Sequence, residues 1–122
     1  MTKYISFFII LTLSSCSSSL TIDGFDKETW TNDKDGCLGN RKKLIALVMN
    51  HKETLLGKDQ DQIKSLLGRP DMHEIYRRAQ RFYIYSLDPG SSCANYVADK
   101  TAANLTLRFN ALGRVHEVIY YE

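Results

Sequence analysis

The sequence predicts an α+β fold: two N-terminal helices packed on one face of a three- to four-stranded antiparallel meander. Three observations predict it. Leu44, Leu47, Val48, His51 and Leu55 recur at helical spacing in the first half of the chain. A capped segment, "DQDQIKSLLGRP", closes that half. The second half alternates in short runs divided by turn signals, as in "RFYIYSL" and "LTLRFNALGRV". Helices followed by strands, without alternation, are the pattern of a two-layer domain.

The chain opens on a different device. Lys3 is the only charge in the first twenty residues, and residues 4–13 are nearly all apolar. That run is about half of the roughly 20 residues needed to cross a bilayer. A short basic start, a brief apolar stretch and small residues after it predict a secretory signal over residues 1–15. Leu13-Ser14-Ser15-Cys16 resembles the lipobox of bacterial lipoproteins. That resemblance implies cleavage before Cys16 and a diacylglyceryl group on its thiol. Two or more acyl chains anchor stably where one does not. The residue after Cys16 is Ser17 rather than Asp, which by the same resemblance implies the outer membrane, on its periplasmic face.

Residues 16–34 read as a lipidated Cys followed by a flexible Ser-rich tether, spanning on the order of 20 Å. Residues 35–122 read as one α+β domain. Without Lys3, 15 basic side chains face 14 acidic ones. Such a balance argues against a nucleic-acid partner.

Three cysteines are odd for an exported protein, but lipid accounts for Cys16. Cys37 and Cys93 remain as a pair in an oxidising compartment, which predicts a disulfide. Two reduced buried thiols are the alternative. Neither Cys has a partner at zinc-ligand spacing.

The first domain helix begins near Asn40, a residue that can cap it. Arg41, Lys42 and Lys43 then fall in a first turn that disfavours cations. They read as a solvated face, or as a contact with anionic head groups or a partner. In the second helix Asp59 and Gln62 have capping-box spacing, and Ile63, Leu66 and Leu67 form the apolar stripe. Gly68 and Pro70 end it. So short a helix must pack against a sheet.

"HEIYRRA" and "RFYIYSL" read as two strands joined near Ala79. Phe82, Ile84 and Ser86 point one way, and Tyr83, Tyr85 and Leu87 the other. Asp88-Pro89-Gly90 signals a turn, and residues 91–101 read as a loop. Leu105, Leu107 and Phe109 begin a hairpin that turns at 110–113 and returns over 115–121.

With these elements in place a family resemblance emerges. Gly57-x-x-x-x-Gln62-Ile63-x-x-x-Leu67-Gly68-x-Pro70, an aromatic strand, then Leu105-x-Leu107-x-Phe109-x-x-x-Gly113-x-Val115, resembles the SmpA/OmlA (BamE-like) lipoprotein domain. The match covers residues 56–118. It implies a non-enzymatic accessory role at the inner face of the outer membrane, with an envelope protein as partner. It brings no catalytic residues, no cofactor and no small-molecule substrate. A similar helix-plus-sheet architecture in β-lactamase-inhibitory proteins gives a second reading, an inhibitor of a periplasmic hydrolase.

The residues themselves offer little catalysis. His51, His73 and His116 are far apart, and Ser91-Ser92 lacks the setting of a hydrolase nucleophile. Asp33 and Asp35 faintly suggest a calcium loop, without its distal Glu. The tyrosines carry more weight. Tyr83 and Tyr85 on an uncovered sheet face, with Arg77, Arg78 and Arg81 as a polar rim, are read as the partner-binding residues. Ordinary two-sided packing is the alternative.

Overall fold

A computed structural model of the protein describes residues 9–10, 19–98 and 101–122. Cys16 and most of the leader therefore lie outside the described residues. Helices precede the sheet: α1 (Lys27–Asn32), α2 (Asn40–Asn50), α3 (Lys52–Leu55) and α4 (Gln60–Leu67). The strands are β1 (Met72–Ile75), β2 (Arg81–Ser86), β3 (Asn104–Phe109) and β4 (Val115–Tyr121). They form one antiparallel meander in the order β1-β2-β3-β4. This is the expected two-layer α+β architecture, with four helical segments where two are predicted.

The stretch read as a tether is part of the packed body from Leu20 onward. Leu20 and Ile22 are buried, and Trp30 in α1 is wholly so. The Asp26 carboxylate caps α1, accepting from the Thr29 amide at 3.1 Å and its hydroxyl at 2.6 Å. A six-residue helix has no stability of its own. Burial of the Trp30 ring, which lies near Phe25 and Tyr85, holds it in place.

Asn40 is not the cap of α2. Gly39 occupies that position, and Asp33 supplies the acceptors from upstream. Asp33 takes the Leu38 amide at 2.7 Å and the Arg41 amide at 2.9 Å, while itself fully buried. A carboxylate there is favoured by the helix dipole and offsets the cations that follow. The buried face of α2 is Arg41, Ile45 and Val48, with Leu44 and Leu47 partly buried beside it.

In α4 the capping box is complete. Asp59 accepts from the Gln62 amide at 2.8 Å, and the Asp59 amide donates to Gln62 Oε1 at 3.0 Å. Gly68 ends the helix at φ 72°, and a Cβ there would meet Thr31 Cγ2 at 2.8 Å. Ile63, Leu66 and Leu67 are buried against the sheet.

The core lies between the helices and one sheet face. Tyr83 and Tyr85 of β2, Leu105, Leu107 and Phe109 of β3, and Val115 of β4 point into it. On β4 an extra residue, His116, is accommodated opposite Arg108 and Phe109. That bulge lets Val115 and Val118 share one face.

Residues 87–103 form a long connection tied to the Lys34–Gly36 turn. Cys37 and Cys93 are joined by a disulfide, with Cα atoms 5.4 Å apart. Asp35, at φ 56°, accepts from the Ser86 hydroxyl at 2.8 Å and the Ser92 hydroxyl at 2.6 Å. Its carbonyl takes the Gly90 amide at 2.9 Å. A Cβ on Gly90 would lie 2.0 Å from the Asp35 carboxylate, so this approach needs glycine.

Burial pushes the Asp35 carboxyl up, but Ser92, Ser86 and the charge of Arg41 outweigh it and hold the pKa below the ordinary 3.8. A depressed carboxylate contributes stability above its unfolded pKa and loses it as pH falls through the folded one. The difference in urea midpoint between wild type and Asp35→Asn is therefore expected to shrink as pH drops below 3.8. A difference that holds constant down to pH about 2 contradicts this linkage.

Candidate functional site

Period-two alternation decides what each sheet face can do. Tyr83 and Tyr85 are on the covered face, 2% and 0% exposed. Their hydroxyls donate to Gln60 Oε1 and to the Gly68 carbonyl, each at 2.8 Å. Burial pushes both phenols above their ordinary pKa, Tyr85 furthest. They cannot meet a partner, which corrects their assignment as binding residues. The physical reason is that a buried tyrosine becomes a core residue once its hydroxyl has an acceptor, and α4 with its C-cap Gly68 supplies two.

The arginines divide. Arg77 and Arg78 are exposed at the β1–β2 hairpin tip, where Arg78 and Ala79 adopt positive φ (64° and 56°). Arg81 is half-buried and pairs with Phe109 across the sheet. Arg41, read with Lys42 and Lys43 as a solvated face, is instead 1% exposed. Its guanidinium carbon lies 5.5 Å from the Trp30 ring centroid and 5.6 Å from that of Tyr85.

The open face carries a different set of side chains, in rows fixed by strand register. Met72, Ile84, Thr106 and Ile119 are direct neighbours across all four strands. Beside them run Glu74, Phe82, Arg108 and Glu117. Tyr121 lies opposite Asn104 at the other side of the apolar row. Met72, Tyr76 and Tyr121 are 51%, 55% and 50% exposed. The Tyr76 ring meets Phe82 edge-on at 4.9 Å, and its hydroxyl donates to Glu74 at 2.7 Å.

Arg108 sits in the middle of this surface. Its Nη2 pairs with Glu117 at 2.9 Å, while its Nε is buried with no acceptor. A buried donor left unpaired costs about 1–3 kcal/mol, while the rest of the guanidinium remains partly exposed beside Glu117. Because β2 and β3 are antiparallel, both hairpin turns lie at the same end of the sheet. A cleft of about 260 Å³ runs between them, lined by Arg78, Gln80, Arg108, Phe109, Asn110 and His116. The open face therefore carries an apolar row across the strands, with a cationic cleft at the hairpin end of the sheet.

Sequence reading missed Met72, Ile84, Arg108 and Ile119 as site residues. Alternation separates the two faces of β2, but nothing in it says which face the helices cover. Among the described residues no group of three or more His, Cys, Asp or Glu could hold a metal ion. No described helix is long and apolar enough to cross a membrane.

Residues 52–118 match the family model described as the outer membrane protein assembly factor BamE domain. That span is more than half of the chain and includes β1, β2, β3 and the cationic cleft. No curated protein and no solved structure matches the chain.

Proposed function

The chain belongs to the BamE domain family of outer membrane protein assembly factors, and on that premise we propose that it is a non-catalytic docking module. It is held by lipid on Cys16 at the periplasmic face of the outer membrane. It binds an envelope protein through the open sheet face and supports assembly or integrity of that membrane. The observation that carries this reading is the face opposite the helices, where exposed Met72, half-buried Ile84 and Ile119, and the exposed rings of Tyr76 and Tyr121 lie beside Arg108. Aromatic and arginine side chains are the residues that dominate protein interfaces.

The anchor has a geometric consequence. Cys16 lies four chain steps from buried Leu20. At about 3.3–3.6 Å per residue they reach at most roughly 14 Å. The body is thus held close against the bilayer, and a docking face on it can meet only partners at that surface.

Two experiments test these points. Met72→Glu and Tyr121→Glu should each reduce recovery of a membrane partner about tenfold or more, as loss of interface anchors does. Both side chains are half exposed, so unfolding free energy should change by less than about 0.5 kcal/mol. Unchanged recovery in both variants rejects the face. For the anchor, mass analysis of the mature protein should find an acylated N-terminal Cys16, and Cys16→Ser should release the chain from membranes. A mature product that retains residues 1–15 without acyl groups rejects it.

A further inference from the structure

We propose that the cleft between the Lys34–Gly36 turn and the start of β1 binds an oxyanion, a carboxylate or phosphate group. The proposal does not rest on the docking face. The cleft measures about 580 Å³, and its walls include Lys34, Asp35, Arg41, Arg69, Asp71 and Ser92.

Two aspartates in the wall suggest a cation at first, but their oxygens are already engaged. Asp71 accepts the Asp35 amide at 2.8 Å on one oxygen, and the Ser86 amide at 2.7 Å and Arg41 Nη1 on the other. Asp35 accepts the Ser86 hydroxyl on one oxygen and the Ser92 amide and hydroxyl on the other.

The groups left over are donors. Arg41 is almost wholly buried, and its Nε and Nη1 are fixed by the Trp30 carbonyl, Asp71 and the Ser86 carbonyl. Nothing among the described residues accepts from its Nη2. The Trp30 and Tyr85 rings beside it fix the guanidinium plane. A donor already held in place loses little entropy when its ligand arrives, and a guanidinium matches the geometry of a carboxylate or phosphate. Lys34 and Arg69 are exposed in the wall, and neither side chain has a hydrogen-bond or ion-pair partner among the described residues. Three cations thus face two carboxylates that are already satisfied. The wall carrying Ser92 is held by the neighbouring Cys93 disulfide and by the Ser92 hydrogen bonds to Asp35.

The test is an NMR titration of the oxidised, ¹⁵N-labelled full chain in detergent micelles at fixed ionic strength. Sodium phosphate, N-acetylalanine and N-acetylalanine amide are added separately. Saturable shifts are expected at the amides of Asp35, Asp71 and Ser92 and at Arg41 Nε–H. They should appear with phosphate, with the free acid, or with both, and not with the amide. Response to both supports the shared chemistry, and response to one also identifies the source. Lys34→Gln combined with Arg69→Gln removes two exposed cations and should weaken binding about fivefold. Shifts that grow linearly with both anions, equal shifts at Arg77 and Arg78, or an affinity unchanged in the double variant overturn the proposal.

Discussion

Replacing Arg41 with alanine is expected to destabilise the protein by about 3–5 kcal/mol, the usual consequence of breaking a buried ion pair from one side. For a domain whose total stability is about 5–15 kcal/mol, that brings it near unfolding. The size follows from what the side chain does. Arg41 enters from the first turn of α2 and lies against both the Trp30 and Tyr85 rings. It donates to the Trp30 carbonyl at 3.0 Å, to the Ser86 carbonyl at 3.3 Å and to Asp71. Its removal leaves a void beside two aromatic rings and an Asp71 carboxylate, 10% exposed, without its cation. Urea unfolding measures the loss. Arg41→Met with Asp71→Leu should lose less than the sum of the single variants, because the second change removes the stranded charge. A loss below about 1 kcal/mol for Arg41→Ala would mean that the pair behaves as a surface salt bridge.

Removing the disulfide is expected to cost about 4 kcal/mol, from the chain entropy of a loop whose ends are 56 residues apart. The bond pins the connection between β2 and β3, which is too long to order itself, to the segment that follows the Lys34–Gly36 turn. Other ties supplement it. Asn95 Nδ2 donates to the Cys37 carbonyl at 3.3 Å, and Lys42 pairs with Asp88 at 2.6 Å. These ties are exposed and contribute little alone. The double variant Cys37→Ser/Cys93→Ser, or wild type with reductant, should show a urea midpoint lowered to match. The sheet should remain, since its register does not depend on this segment. A reduced protein within about 1 kcal/mol of the oxidised one would mean that the Asp35 network alone holds the loop.

These two effects show where reading a sequence succeeds and where it stops. The α4 helix was legible because its signals are local: Asp59, Gln62 and Gly68 each act within one turn. The β3–β4 hairpin was legible for the same reason, through strict alternation and a turn containing Gly113. Arg41 was not. Its environment comes from Trp30, Asp71 and Tyr85, which approach it only in the folded chain. The segment 16–34 reads as a tether because it opens on three serines and continues mostly polar, while the stability of α1 comes from one buried ring, Trp30. Tyr83 and Tyr85 were placed on a binding face because tyrosine suits interfaces. Two hydroxyl acceptors, Gln60 and Gly68, make it equally suited to this core.

The docking claim is tested most directly by photo-crosslinking in intact envelopes. A crosslinking amino acid placed at Tyr76 or Tyr121, on the open face, should give one discrete protein adduct. The same group at Glu53, exposed on α3 in the helical layer, should give none. An identical adduct from position 53, or no protein adduct from 76 and 121, would contradict the assignment of the open sheet as the docking surface.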